Sequence, residues 1–244
     1  VDILCIGAAA RGLDAHVEWR PDAARPDLLA AVELHATDAP PDPALVALHP
    51  LIRARHTRRT IAPSEPLTSS ERRQIEAASA PYAAPLIWLG DPSVLAELGS
   101  LFGDAERLRA LNPHLNADLG REIAFAPADQ VLEGISIDTV EASALEEIAY
   151  KLLFRSDVRA RVQATGAGRR LIDRARTELV NSSAVAILRV DSTEPHEVLR
   201  AGRAMHRAWL AAEGLGLGFQ PVGTLPFMLR LLNEPTSNIF DASE

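Results

Sequence analysis

A dense positive cluster lies near the start of the chain, where Arg53-x-Arg55-His56-Thr57-Arg58-Arg59 concentrates guanidinium groups around one hydroxyl. Arginine offers a planar fork of donors, and threonine adds a hydroxyl, so the cluster suits a phosphate dianion and adjacent polar ring atoms. A solvated basic surface or an arginine-rich helix end explains the same residues. A polynucleotide-binding patch is a third explanation, disfavoured because no aromatic side chains are interleaved.

A glycine-rich segment, Gly214-Leu-Gly-Leu-Gly-Phe-Gln-Pro-Val-Gly223, follows directly after a long predicted helix. Glycines there let backbone N–H groups approach a flat ligand closely and hold a developing anion on it. The structural alternative is a helix C-cap, which glycine commonly provides. The G-x-G-x-G spacing after a helix is not a dinucleotide fingerprint, which follows a strand.

Other candidate groups indicate no further chemistry. The seven histidines show neither H-x₃-H nor H-E-x-x-H pairing, so we expect no metal site. Ser182 and Ser183 lack the G-x-S-x-G context of a nucleophile elbow. Asp138, Glu146 and Glu147 are typical of turn and helix-surface positions. We therefore assign no catalytic side chain.

Composition and charge narrow the classes of partner. The chain has 244 residues, 47% of them apolar, with 25 basic against 33 acidic side chains and a net charge of −8. This balance argues against a general nucleic-acid or anionic-membrane binder, so we expect a small-molecule or protein partner. The single cysteine, Cys5, cannot form an intrachain disulfide. No apolar run reaches the ~18 residues that span a bilayer, and we expect a cytoplasmic protein.

The elements that must position the two motifs are of mixed type. Helices outnumber strands, and no regular βαβ alternation is present, which favours an α+β architecture. The predicted elements are an apolar helix over Val1–Leu13 stopped near Gly12, a strand over Ala15–Trp19, a proline-rich linker over Thr37–Pro43, a helix over Pro43–Ala54, an extended segment over Pro63–Pro66, a helix capped at Thr68 or Ser69 and running to Ala78, a strand over Tyr82–Leu89, one or two helices over Asp91–Leu119 with a break at Asn112-Pro113, an irregular segment over Phe125–Thr139, helices over Ala142–Phe154 and Arg169–Val180, a strand over Ala184–Val190 and a helix over His196–Glu213.

The order and separation of the two motifs resemble the FMN-dependent nitroreductase family. Members carry Arg-x-Ser/Thr-x-Lys/Arg after a first helix, which Arg55-His56-Thr57-Arg58-Arg59 matches. They also have a late long helix that ends in Gly-Leu/Ile-Gly and a Pro-x-Gly-like turn, similar to Gly214–Gly223 with Pro221-Val222-Gly223. The resemblance covers Leu45 to Leu232. It implies an α+β, nitroreductase-like fold with a central, mainly antiparallel sheet flanked by helices.

The resemblance also implies a cofactor and a reaction. FMN would accept hydride from NAD(P)H at N5 in a ping-pong cycle and reduce an electron-poor small molecule, or run in reverse as a dehydrogenase. Arg55 and Thr57 would bind the phosphate and ribityl oxygens, and Arg59 the N1/O2 edge of the ring. The backbone N–H groups of Val222 and Gly223 would face N5 and O4. The full set of implied cofactor-binding residues is Arg55, His56, Thr57, Arg59, Gln220, Pro221, Val222 and Gly223.

Two family motifs are missing from the chain. Ser69–Ser79 lacks the Ser-x-x-Asn-x-Gln-Pro-Trp motif with which the opposite subunit reaches FMN, and the closing Lys-x-Arg is absent, Arg230 being a poor substitute. An internally duplicated, pseudodimeric branch of the family explains the first gap, because its first half supplies that loop. We therefore expect residues 1–44 to be the end of a preceding nitroreductase-like half plus a linker. Residues 45–244 would be the FMN-binding domain, with an incomplete C-terminus.

This organisation implies a longer parent chain, and some members of the branch also carry an adenylating domain. The partner of the FMN-binding domain would be a second nitroreductase-like half in cis or a homodimer partner. The alternative function is that of a non-catalytic or degenerate half, which binds FMN or serves only a structural role in a larger multidomain protein.

Overall fold

Helices predominate over strands in the computed structural model, which describes residues 1–59, 64–82, 84–166 and 168–233. The helices are α1 (Asp2–Ala9), α2 (Pro43–Leu48), α3 (Leu51–Ala54), α4 (Ser69–Ser79), α5 (Pro92–Leu111), α6 (Pro113–Glu122), α7 (Ala144–Leu153), α8 (Ser156–Thr165), α9 (Arg169–Val180), α10 (Pro195–Gly214) and α11 (Thr224–Asn233). The strands are β1 (Leu13–Trp19), β2 (Ala30–Ala36), β3 (Leu86–Leu89), β4 (Ile123–Ala124), β5 (Ile135–Ser136) and β6 (Val185–Leu188). The α+β class is confirmed.

Side-chain caps set several helix ends where the sequence predicted them. Thr68 begins α4 in a reciprocal capping box with Glu71. Asn112 ends α5, and its side chain accepts hydrogen bonds from the backbone N–H groups of His114 and Leu115 at the start of α6. Pro113 occupies the first position of α6, where its missing N–H costs nothing.

Several elements differ from the prediction. The single helix expected over residues 43–54 is divided into α2 and α3, with Pro50 between them. The strand expected from Tyr82 begins only at Leu86, because residues 80–82 form a 3₁₀ turn. Helices α8 and α11 were not predicted. The first residue of the extended segment predicted over Pro63–Pro66, Pro63, lies outside the described residues.

The described strands pair in twos. Strands β1 and β2 are antiparallel, with Leu13 opposite Ala36 and Trp19 opposite Ala30. Strand β3 pairs with β6, and β4 runs parallel to β5 over two residues in each strand. In this part of the chain the strands therefore form three separate pairs, where a single central sheet was expected.

The chain forms two compact units. Unit 1 comprises the described residues of Val1–Arg58, Leu67–Trp88 and Ala186–Gln220. Unit 2 comprises those of Arg59–Pro66, Leu89–Val185 and Pro221–Glu244. The predicted boundary at residues 44/45 concerns the ancestry of the two segments, which compactness does not test, and it stays a prediction.

Each unit has apolar clusters that hold one end of the glycine-rich segment. In unit 1, α10 packs on α4 through Ala208, Ala212 and Ile75, and Leu217 and Phe219 pack against this cluster. In unit 2, α5 packs on α9 so closely that a Cβ at Gly99 would lie 3.0 Å from the carbonyl oxygen of Arg176. Helix α11 packs on the same helix α5.

Candidate functional site

The arginine motif and the glycine-rich segment are hydrogen-bonded neighbours in unit 1. Arg55 is the C-cap of helix α3, and its backbone N–H donates to the carbonyl oxygen of Leu51 over 2.9 Å. The chain then runs extended, and Thr57 forms a parallel bridge with Phe219. The backbone N–H of Arg58 donates to the carbonyl oxygen of Phe219 over 3.1 Å. Two segments far apart in the sequence are thus joined through their backbones.

The glycines of the segment have structural explanations up to Gly218. Gly216, with φ of +72°, follows α10 in the left-handed region and donates its N–H to Glu213 over 3.0 Å. Leu217 donates its backbone N–H to Ala212 over 2.9 Å, which completes a Schellman cap. A Cβ at Gly218 would lie 3.0 Å from Cγ of Arg58. These glycines therefore end the helix and admit the arginine motif beside it, with no ligand required.

An aromatic stack holds the Arg55 side chain. The guanidinium carbon of Arg55 lies 4.1 Å from the centroid of the Trp209 ring. Trp209 in turn stacks on Phe219 at 5.2 Å between centroids and an interplanar angle of 18°. The indole Nε1 of Trp209 is buried and has no hydrogen-bond partner among the described residues. Trp209 was not predicted as part of this site, because no local spacing in the sequence connects it with Arg55.

The cluster keeps a surplus of positive charge. His56 Nδ1 lies 3.8 Å from Glu213 Oε2, and the His56 side chain is exposed. Within the part of the chain that the structure describes, no carboxylate lies within ion-pair distance of Arg53, Arg55 or Arg58. In a protein with a net charge of −8, unpaired guanidinium groups on one short segment fit an anion such as phosphate. Gln220 is half-buried at the end of the unit 1 portion.

The other predicted residues belong to unit 2. Arg59 is half-buried and donates a guanidinium N–H to the carbonyl oxygen of Thr139 over 2.8 Å. Val222 packs against the apolar cluster between α5 and α9. Pro221 and Gly223 are exposed, and a Cβ at Gly223 would meet no atom within 4 Å. Among the described residues, nothing accepts a hydrogen bond from the backbone N–H of Val222 or Gly223.

A charged cluster around Tyr150 in unit 2 was also missed. Burial raises the pKa of the Tyr150 phenol, and the negative charges of Glu106 and Glu178 act in the same direction. Arg109 and Arg59 oppose that rise without cancelling it. The phenol is therefore neutral at physiological pH and can act only as a neutral donor or acceptor.

A second charged cluster, in unit 1, is centred on the buried carboxylate of Asp2. Arg207 donates two hydrogen bonds to it, Nε to Oδ2 over 2.7 Å and Nη2 to Oδ1 over 2.9 Å, and His206 Nδ1 lies 2.7 Å from Oδ2. Tyr82 donates its hydroxyl to Oδ1 over 3.2 Å. Burial acts to raise the pKa of Asp2, but the hydrogen bonds from His206 and Arg207 outweigh burial and hold it well below its usual range. This network joins α1 to α10.

No group of three or more His, Cys, Asp or Glu side chains among the described residues is arranged to hold a metal ion. None of the helices in those residues is both long and apolar enough to cross a membrane.

Comparisons with known proteins add one distant likeness. No protein-family model matches the chain. The chain is 28% identical over 221 residues to uncharacterized protein MT1398 of Mycobacterium tuberculosis (strain CDC 1551 / Oshkosh). The alignment covers 90% of the chain and 30% of that protein. The chain therefore spans less than a third of the length of the relative that it matches.

Proposed function

We propose that this chain is the FMN-binding part of a nitroreductase-like oxidoreductase. The observation that carries the proposal is the backbone pairing of Thr57 and Arg58 with Phe219. It brings the proposed phosphate-binding motif next to the segment that leads to the Pro221-Val222-Gly223 turn. A nitroreductase-like fold is part of the proposal, supported by the order of β6, α10, its glycine cap and that turn.

The proposal assigns each of these donors to one part of FMN. In unit 1, Arg55 and Thr57 bind the phosphate and ribityl oxygens, and the stack on Trp209 holds the Arg55 guanidinium in place before the ligand arrives. In unit 2, Arg59 binds the N1/O2 edge of the ring while Thr139 holds one of its N–H groups. The backbone N–H groups of Val222 and Gly223 donate to N5 and O4.

When bound, FMN would supply hydride transfer between NAD(P)H and an electron-poor small molecule, in either direction. The residues named above bind and orient it, and no side chain is assigned as a general acid or base. The backbone N–H groups stabilise negative charge on the ring without having to reorganise, which is how such donors contribute most.

A second function is supported by what the sequence lacks. Without the Asn-x-Gln-Pro-Trp loop and the closing Lys-x-Arg, the chain would bind FMN without turning it over, or act as a structural half of a larger protein. The complete site would need a second nitroreductase-like half in cis or a homodimer partner.

Reconstitution of the chain with FMN distinguishes these functions. The protein is incubated with FMN, freed of excess by gel filtration, and its flavin content is measured against protein concentration while light scattering gives its mass. Bound flavin that is bleached anaerobically by NADH or NADPH supports the oxidoreductase. Bound flavin that both nicotinamides leave unchanged supports sequestration. A colourless protein overturns the FMN assignment and supports the structural role.

A further inference from the structure

Residues 222–225, which follow the cap of α10, contact α5 both before and after Gly223. Val222 and Leu225 both pack against the cluster that contains Phe102 of α5, and Leu225 also packs against the cluster that contains Ala105. Between them, Thr224 donates its hydroxyl to Glu106 Oε1 over 2.6 Å. The α5 residues in these contacts lie on one face of the helix, at spacings of three and four.

Gly223 is the residue of this segment that α5 leaves free. It is exposed, and a Cβ there would meet nothing within 4 Å. Its carbonyl oxygen accepts the backbone N–H of Phe227 over 3.0 Å, so Gly223 is also the residue from which α11 begins. Its own N–H has no acceptor among the described residues. The contacts of its neighbours therefore determine where this N–H lies.

The contacts of those neighbours are not equivalent. Apolar packing of Val222 and Leu225 keeps the segment near α5, but packing is non-directional and allows the peptide plane to rotate. The hydrogen bond from Thr224 to Glu106 has a preferred distance and angle. The Gly223 N–H belongs to the peptide that joins it to Val222. Because Val222 is packed on one side and the Thr224 side chain is hydrogen-bonded on the other, the two contacts together limit the φ and ψ of Gly223 and with them the direction of this N–H.

We propose that Glu106 is a positioning residue for the flavin: through the hydroxyl of Thr224 it fixes the Gly223 backbone N–H in the orientation that donates to FMN. This inference rests on the proposed function. Glu106 touches neither FMN nor substrate; it removes the need for the peptide to reorder when the flavin binds.

Paired substitutions separate the hydrogen bond from the charge and the bulk of these side chains. Thr224→Val removes the hydroxyl with little change in shape, and Thr224→Ser retains it. Glu106→Ala removes the acceptor, and Glu106→Gln retains an oxygen acceptor without the charge. Glu97→Ala, at an exposed carboxylate on the same helix, is the matched control. For each variant, thermal unfolding, the FMN dissociation constant, the visible spectrum of bound flavin and hydrogen exchange of the peptide over 221–227 are measured.

The Val and Ala variants are expected to bind FMN about three- to tenfold more weakly, the loss of one well-placed neutral hydrogen bond. Their flavin spectra shift, and peptide 221–227 exchanges faster in the FMN-free protein. The Ser and Gln variants and the Glu97 control behave as the unsubstituted protein. A merely structural role would lower the unfolding temperature of the Val variant and leave the spectrum of its bound flavin unchanged.

The outcomes keep the two proposals apart. If the unsubstituted protein binds FMN and all four variants match it in affinity and spectrum, the positioning role is wrong and the FMN assignment stands. The positioning role is equally wrong if Ser and Gln lose as much affinity as Val and Ala. If the unsubstituted protein binds no FMN, both proposals fall together.

Discussion

Neutralising Asp2 should destabilise unit 1 strongly, because its carboxylate accepts two hydrogen bonds from the buried Arg207 guanidinium. Arg207 is 7% exposed and Asp2 is 6% exposed. The substitution Asp2→Asn preserves the shape of the side chain and removes its charge. The Arg207 cation then remains buried without a counter-ion.

The expected cost is large for a single substitution. Removing one partner of a buried ion pair typically costs about 3–5 kcal/mol, because the remaining charge stays desolvated. Asp191→Asn is the matched control in the same unit: Asp191 Oδ1 lies 3.0 Å from Arg189 Nε, and both side chains are more than half exposed. A solvated pair of that kind contributes about 0–1 kcal/mol.

Tryptophan fluorescence follows the unfolding of unit 1 selectively. The three tryptophans of the chain, Trp19, Trp88 and Trp209, all lie in unit 1. Urea unfolding followed by their emission therefore measures the free energy of unfolding of the unit that contains the Asp2 network. The expected result is a lower midpoint for Asp2→Asn at an unchanged slope. A loss of less than about 1 kcal/mol, equal to that of Asp191→Asn, would refute the assignment of a buried, charge-compensated network.

The pH dependence provides a second check on the same group. Because the pKa of Asp2 is lower in the folded than in the unfolded chain, the unfolded state binds more protons in the acid range. The stabilisation that the Asp2 carboxylate gives the folded state is complete above its unfolded-state pKa of about 4. It is lost as the pH falls through the lower pKa of the folded state. The difference in free energy of unfolding between the unsubstituted protein and Asp2→Asn should therefore be largest near neutral pH and smaller in acid. A difference that increases in acid would contradict this sign.

Three further outcomes are expected. Arg55→Ala should weaken FMN binding by about 1.5–3 kcal/mol through loss of a charge-assisted hydrogen bond. The control Arg20→Ala, on an exposed turn, should leave the dissociation constant of FMN unchanged in the same titration. Equal affinities of the two variants would contradict the assignment of Arg55. Trp209→Leu should weaken FMN binding by about 0.5–2 kcal/mol by removing the cation–π contact. Trp209→Phe should retain most of the affinity, because a ring still lies under the Arg55 guanidinium. Identical FMN titrations of the two variants would contradict a positioning role for the stack. Residues 45–244 alone should aggregate and bind FMN weakly, because residues 1–44 pack within unit 1; light scattering and flavin content measure this, and a tight stoichiometric complex would oppose it.

Local signals predicted the parts of the fold that local chemistry determines. The caps at Thr68 and Asn112 and the glycine end of α10 are recognisable because each involves residues within one helical turn. Helix α11 was missed because Pro226 and the preceding glycine and proline suggest a turn, although proline is tolerated in the first turn of a helix. Helix α8 was missed because its apolar side chains are too few to show helical periodicity.

In the candidate site, too, the residues of continuous motifs were predicted and those that contact them from distant parts of the chain were not. Sequence spacing predicted Arg55, Thr57 and the glycine-rich segment as candidate site residues, because each motif is continuous along the chain. The groups that hold them are distant in sequence: Trp209 under the Arg55 guanidinium, and Glu106 at the hydroxyl of Thr224. Such contacts have no periodicity in the sequence, so tertiary structure is needed to find them.

The Asp2 network bears on how the proposed halves are joined. Residues 1–44 are proposed to derive from a preceding half, yet Asp2 is buried against Arg203, His206 and Arg207 of α10, the helix that ends in the glycine cap. Apolar packing alone would tolerate small shifts between α1 and α10, whereas a buried carboxylate with several charged and hydrogen-bonding partners is satisfied in one arrangement. A mispaired α1 would leave buried charges uncompensated, at several kcal/mol each. In the duplicated architecture, this ion pair would fix the register in which the end of one half docks on the next.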